Sequence, residues 1–149
     1  FPLLRYLTPA GERRVRVDAQ GQSAATRFSR LQSLDFGGTP GLPPHGALLE
    51  CELLTGRTHQ IRVHLAHAGH PILGDEKYGD FTLNKVLDDM HFNRMFLHAF
   101  RLTMKHPKKD DMLVLEAPMP AAFEALLARF GVDESVGGQS AFSQVTRKS

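Results

Sequence analysis

The sequence contains no tryptophan, only two tyrosines and a single cysteine in 149 residues. With one cysteine, Cys51, the chain cannot form an internal disulfide, and such a composition is typical of a reducing compartment such as the cytoplasm. Cys51 lies within the apolar run 47–54, so we expect a buried structural thiol rather than a nucleophile. The cysteine content therefore excludes the class of small secreted domains held together by disulfides.

Long apolar runs and a strong excess of either charge are also missing. No stretch is long enough to cross a membrane and no secretory signal pattern is present, so we expect a cytoplasmic protein with no membrane partner. The chain has 18 Lys and Arg against 16 Asp and Glu, which gives a net charge of +2 with neutral histidines. This mild basicity permits an RNA partner without requiring one.

The residues that are present suit one globular domain in which strands alternate with helices. Apolar residues make up 42% of the chain, enough for a core at this length. The patterning predicts strands at 13–18, 26–36, 47–55, 95–104 and 112–117, and helices at 59–68, 82–90 and 120–130. The third strand should be central, because it is apolar on both faces, and the last two should pair as a hairpin.

These elements predict an α+β fold with a mixed, mainly antiparallel sheet and flanking helices. The folded part should cover 1–130, and 131–149 should form a flexible tail, since it is rich in Ser, Gly and Gln. In the first predicted helix, Thr58 is the expected N-cap and Gly69 the residue that ends it. Ile61, Leu65 and Ala68 should form its buried stripe.

The segment 55–79 concentrates polar side chains on and around that helix. The residues concerned are Arg57, His59, Gln60, Arg62, His64 and His67. Arg62 borders the apolar stripe, so its guanidinium should be partly buried and should need a carboxylate, phosphate or carbonyl partner. An internal salt bridge serving the fold alone explains Arg62 equally well. Arg57 lies at the strand-to-helix junction, where free backbone N–H groups favour anions.

Two further groups allow more than one interpretation. The histidines suggest zinc, and His64 and His67 are spaced as a usable ligand pair. The spacing does not match H-E-x-x-H, however, and no cysteine pair or inward carboxylate supports zinc, so surface or hydrogen-bonded histidines are favoured. Lys77 could steer a phosphate and Tyr78 could stack on a base. Alternatively Tyr78 packs on the core and Asp75 caps a turn, and for Asp75 we favour this structural role.

Five segments together resemble the RluA family of RNA pseudouridine synthases. They are 55–64 (TGRTHQIRVH), 70–75 (HPILGD), 77–79 (KYG), 95–99 (MFLHA) and 116–120 (EAPMP). The resemblance covers about 1–130 and is specific, because the five segments recur in the family's order. It implies part of the pseudouridine synthase fold.

The resemblance also implies a reaction and a partner. In the family an aspartate in a His-Arg-Leu-Asp motif attacks the target uridine, and neither a metal nor an organic cofactor is needed. Arg62 matches the family arginine that pairs with this aspartate, while Arg57, His59, Gln60 and Lys77 become candidates for RNA contact. The implied partner is ribosomal RNA of the 23S type, with the target base flipped into a pocket.

The sequence departs from the family in one respect. It has no His-Arg-Leu-Asp motif, the family's pocket tyrosine is absent, and the chain starts at Phe1. We therefore expect the C-terminal portion of a catalytic domain that is inactive alone. It should be covered by its missing N-terminal half or another second chain, self-associate, or show disorder near Phe1. The alternatives are a non-catalytic RNA-binding module of the same fold and a zinc-dependent hydrolase.

Overall fold

The computed structural model describes residues 1–105, 108, 112–132 and 145–148. Within these residues the chain forms two sheets and three helices, which confirms the α+β class. The elements are β1 (Leu3–Leu7), β2 (Arg13–Val17), β3 (Thr26–Asp35), β4 (His45–Leu53), α1 (Gln60–His67), α2 (Phe81–Asp89), β5 (Ala99–Lys105), β6 (Met112–Glu116), α3 (Ala121–Phe130) and β7 (Val145–Lys148). No helix in the described residues is both long and apolar enough to cross a membrane.

The strands belong to two separate sheets rather than one. β1 and β2 form an antiparallel hairpin, and the other five strands are ordered β3-β4-β7-β5-β6. β3–β4 and β5–β6 pair antiparallel, whereas β7 runs parallel to both of its neighbours. The predicted interior position of β4 and the predicted β5–β6 hairpin are both observed.

Two strands lie where the sequence predicted none. β1 pairs along its whole length with β2, from Leu3 opposite Val17 to Leu7 opposite Arg13. β7 falls within the predicted flexible tail 131–149, but its backbone pairs with β4 and β5. Unpaired strand edges accept almost any extended segment, because the pairing groups belong to the backbone. Val145–Lys148 is a paired strand in the structure, and residues 133–144 and 149 lie outside the described part.

Helix α1 is buried on two sides because it lies between the sheets. Ile61 and Leu65 pack with Cys51 of β4 in one apolar cluster, and Val63 packs with Val15 of β2 in another. The prediction of Ile61 and Leu65 as buried is confirmed, whereas Ala68 is exposed. A third cluster lies between β3, β4 and α3 and contains the aromatic core of the chain. Its aromatic members are Phe36, Phe96, Phe123 and Phe130.

The ends of α1 were predicted with mixed success. Thr58 is not the N-cap: that position belongs to His59, which has left-handed backbone angles (φ 52°) and no side-chain capping bond. Gly69 ends the helix as predicted, with φ +86°. The strand predicted from Met95 begins only at Ala99; Phe96, before it, is buried in the core and its N–H donates to the Leu73 carbonyl instead of to a strand.

Candidate functional site

Arg62, in the first turn of α1, forms a bidentate ion pair with Asp75. Arg62 Nε donates to Asp75 Oδ2 at 2.9 Å and Nη2 donates to Oδ1 at 2.7 Å. The Asp75 side chain is 1% exposed and that of Arg62 is 16% exposed. Parallel N–H···O bonds of this kind fix a guanidinium in orientation as well as position. The structure thus supplies Arg62 with a local carboxylate, which is the internal salt bridge considered as an alternative above.

Asp75 is held by the turn in which it lies. Its Oδ1 also accepts the backbone N–H groups of Lys77 at 2.9 Å and Tyr78 at 3.1 Å. Burial raises the pKa of the Asp75 carboxyl, but the hydrogen bonds from Arg62, Tyr78 and Lys77 outweigh it and keep the pKa below its usual range. Asp75 is therefore ionised and structural, as its predicted turn-capping role requires.

Tyr78 contacts the Arg62 guanidinium with its ring and links Arg62 to the β1–β2 hairpin through its hydroxyl. The guanidinium carbon of Arg62 lies 5.1 Å from the centre of the Tyr78 ring, within cation–π range. The Tyr78 hydroxyl accepts the Val15 N–H at 3.0 Å and lies 2.8 Å from His59 Nδ1. Tyr78 is half-buried beside the Val15 and Val63 cluster, which is the alternative in which it packs on the core.

His59 completes this group as a neutral imidazole. Desolvation lowers the pKa of His59, and the positive charges of Arg62 and Lys77 lower it further. A neutral ring accepts at Nδ1, so the Tyr78 O–H donates to it while Nε2 carries the proton. Among the described residues, His59 Nε2 and Arg62 Nη1 have no hydrogen-bond acceptor within reach. Both N–H groups remain available to a ligand.

Gln60 is placed differently from its predicted contact with RNA. Gln60 is 2% exposed, and its side-chain amide uses all four of its hydrogen-bonding capacities inside the protein. Oε1 accepts from Thr55 Oγ1 and from the Arg57 N–H, while Nε2 donates to Ala25 O and Thr26 Oγ1. Gln60 therefore ties the start of α1 to β3 and has no group left for a nucleotide.

His64 is also internal, and it takes the hydrogen-bonded role that was one of the two favoured for the histidines. Its Nε2 lies 2.7 Å from the Phe1 carbonyl and must donate to it, which leaves Nδ1 to accept from Thr26 Oγ1 at 2.9 Å. With both ring nitrogens occupied, His64 has no lone pair for a metal. In the described part of the chain, no group of three or more His, Cys, Asp or Glu side chains could hold a metal ion.

The other predicted contact residues lie at the edge of this group. Lys77 Nζ pairs with Glu12 Oε1 at 3.1 Å. The hydrogen bond from Lys77 is the main cause of the lowered pKa of the Glu12 carboxyl. Arg57 is exposed, and its Nε donates to Ser23 O at 3.0 Å. The structure thus brings together Arg62, His59 and Lys77, and places Arg57 beside them in the chain.

Sequence reasoning treated Asp75 and Tyr78 as separate from Arg62. The missed signal was the spacing Asp75-x-x-Tyr78 after Gly74, which lets one turn present a carboxylate and a ring to the same guanidinium. A larger, mainly apolar cavity of about 600 Å³ lies elsewhere, between β4, α3 and the loop after α1. Its lining includes neither Arg62 nor Asp75, so the polar group and not this cavity is the candidate site.

Comparison with known proteins gives this site a family context. Residues 8–67 match the family model described as RNA pseudouridylate synthase. Ribosomal large subunit pseudouridine synthase C of Haemophilus ducreyi is 37% identical over 133 residues, covering 89% of this chain and 39% of that protein. The enzyme of the same name from Escherichia coli (strain K12) is 38% identical over 130 residues, covering 86% and 38%.

A third relative, ribosomal large subunit pseudouridine synthase C of Haemophilus influenzae, is 40% identical over 127 residues, covering 85% of this chain and 37% of that protein. The resemblance predicted from the five motifs is confirmed. The chain spans about two fifths of the length of these curated relatives.

Proposed function

We propose that the gene product containing this chain isomerises uridine to pseudouridine. The proposal is supported by the match of residues 8–67 to the RNA pseudouridylate synthase family. The relatives are named for the large ribosomal subunit, so the proposed substrate is large-subunit ribosomal RNA of the 23S type, modified in the cytoplasm. The reaction breaks the glycosidic C–N bond, turns the uracil and joins its C5 to the ribose. It neither adds nor removes atoms, and the proposal includes no cofactor.

Arg62 is proposed to position the nucleophilic aspartate. The supporting observation is that Asp75 holds the guanidinium through Nε and Nη2 while Nη1 has no acceptor among the described residues. An arginine fixed in this way can meet a second carboxylate without losing further side-chain freedom. The predicted pairing of Arg62 with an aspartate from outside this chain is thus compatible with its pairing to Asp75.

The nucleophile itself is proposed to come from outside residues 1–149. Asp75, the acid beside Arg62, is 0% exposed and both of its oxygens accept hydrogen bonds. Such a carboxylate has no path to a ribose carbon. None of the other aspartates in the sequence lies in a His-Arg-Leu-Asp context. His59, Arg57 and Lys77 are proposed to contact the RNA beside the target uridine.

Tritium release from RNA carrying 5-tritiated uridine tests this function, because the tritium at C5 is lost when C5 bonds to the ribose. We expect release by the gene product that contains this chain and none by residues 1–149 alone. Arg62→Gln should lower kcat by about 100-fold, since misplacement of a reacting group by about 1 Å costs about that much. Arg129→Gln, which removes an exposed arginine from α3, is the matched control and should keep full activity.

A non-catalytic RNA-binding module is the second candidate. One observation favours it: Arg62 and Asp75 already form a complete local ion pair that could serve the fold alone. In that case the gene product would bind RNA without releasing tritium. Unaltered release by Arg62→Gln would instead leave the enzyme in place and remove Arg62 from its mechanism.

A further inference from the structure

A polar cleft of about 490 Å³ lies between the β1–β2 hairpin and the loop that leads from β4 into α1. Two arginines from distant parts of the chain, Arg5 and Arg57, line it together with the polar side chains of Gln22 and Thr58. None of the lining residues is acidic. Two guanidinium groups at a cleft without a carboxylate create a positive potential that attracts an anion.

We infer that this cleft binds a phosphate group of the RNA backbone, next to the uridine that Arg62 serves. The Nε of Arg57 is fixed by its bond to Ser23 O, and its two Nη groups have no acceptor among the described residues. Arg5 is exposed and likewise has no acceptor in the part of the chain that the structure describes. Arginine forks match the oxygens of a phosphate, and the volume leaves room for the attached ribose.

The position of the cleft identifies the anion as part of the substrate, so this inference rests on the proposed function. Val15 is one of the residues that line the cleft, its N–H donates to the Tyr78 hydroxyl, and the Tyr78 ring contacts the Arg62 guanidinium. Thr58 lines the same cleft and precedes His59, the other partner of Tyr78. The cleft is therefore connected to Arg62 through Val15 and Tyr78, which suits a neighbouring nucleotide of one bound strand.

The test measures binding of a short single-stranded, uridine-containing RNA to residues 1–149 by fluorescence anisotropy at several salt concentrations. R5Q/R57Q should bind about 10-fold more weakly at about 0.1 M salt. Its plot of log affinity against log salt should be shallower by about 0.7, the value for one phosphate of a single strand. R5K/R57K retains both charges and should keep the slope, as should R129Q. Circular dichroism checks that each variant is folded.

A series of RNAs, each with one neutral methylphosphonate, then locates the contact. One position should weaken binding to the wild type and leave binding to R5Q/R57Q unchanged, as a coupled pair requires. Equal affinity and slope for wild type and R5Q/R57Q overturn the inference, as does wild-type protein that binds polyglutamate more tightly than RNA. If R5Q/R57Q binds normally while R62Q in the gene product loses tritium release, the cleft assignment fails and the proposed function stands.

Discussion

Asp75 accepts two hydrogen bonds from the Arg62 guanidinium and two from the backbone N–H groups of Lys77 and Tyr78. The carboxylate is buried, so these four donors replace the water it would otherwise bind. Arg62 depends on the same carboxylate for its orientation. At the residue scale, the stability of this turn and the orientation of the Arg62 guanidinium therefore depend on the same carboxylate.

Asp75→Asn should destabilise the protein by about 3 kcal/mol, because it leaves a largely buried guanidinium without a counterion and turns one amide N–H group towards existing donors. Urea denaturation at pH 7 measures this change. Asp88→Asn removes an exposed carboxylate of α2 and should stay within about 0.5 kcal/mol of wild type. Equal stability of both variants would show that the Arg62–Asp75 pair contributes nothing to the fold.

His64 gives a pH dependence whose sign follows from its contacts. Burial lowers the pKa of His64, so the unfolded chain, with a pKa near 6.5, takes up a proton first as the pH falls. Stability should be complete above pH 6.5 and should decrease below it, towards the lowered folded pKa. His59 acts in the same direction.

The free energy of unfolding, measured between pH 5.5 and 7.5, should therefore rise with pH. His64→Gln should reduce the size of this rise, because only the part due to His59 remains. A protein that is equally stable across this range, or a variant with an undiminished rise, would contradict the neutral, doubly bonded His64.

At the scale of elements, two glycines with positive φ differ in what a side chain would cost. At one of them it would cause backbone strain alone, and at the other it would also collide with neighbouring backbone. Gly69 ends α1 at φ +86°, and a Cβ placed there would contact nothing within 4 Å. Gly74 precedes Asp75 at φ +79°, and a Cβ there would collide with the Arg94 carbonyl. The turn that carries Asp75 is thus packed against backbone, whereas the end of the helix is open.

Gly69→Ala should cost about 1 kcal/mol, the strain of a left-handed alanine. Gly74→Ala should cost clearly more, because backbone cannot yield as a flexible side chain does. Thermal unfolding of the two variants compares them directly, with Gly69→Ala as the matched control. Equal effects would mean that the Asp75 turn can move away from Arg94 without cost.

Elements with a strong local pattern could be predicted from the sequence, and those that depend on distant partners could not. Helix α2 and the β5–β6 hairpin were predicted because periodicity and turn residues lie within their own segments. β7 was missed because its pairing depends on the edges that β4 and β5 offer. The site shows the same division: partial burial of Arg62 could be predicted from its neighbours on α1, but its partner Asp75 lies 13 residues away in a turn.

At the scale of the whole molecule, β6, the edge strand of the five-stranded sheet, carries three exposed apolar side chains. Met112, Val114 and Leu115 are 60%, 50% and 49% exposed. An apolar strand with unpaired backbone groups is a template for pairing with another copy. This favours self-association among the outcomes that the sequence left open for residues 1–149.

Residues 1–149 should therefore show a concentration-dependent mass in sedimentation velocity. Val114→Lys should shift the distribution towards monomer, because a charge on an edge strand opposes pairing. Phe81→Lys places the same charge at an equally exposed apolar position on α2 and should leave the distribution unchanged. A strictly monomeric wild-type chain, or equal effects of both lysines, would contradict an edge-to-edge contact.

The network around Gln60 has a consequence for how the chain tolerates change. Gln60 Nε2 donates to Ala25 and Thr26 at the start of β3, and its Oε1 accepts two hydrogen bonds from the loop that precedes α1, so directional bonds as well as apolar contacts hold the start of the helix in place. Side chains of similar volume can therefore replace Ile61, Val63 and Leu65. The direction of the Arg62 guanidinium is preserved in such variants. The Gln60 side-chain amide, together with the apolar residues around it, sets the position of α1.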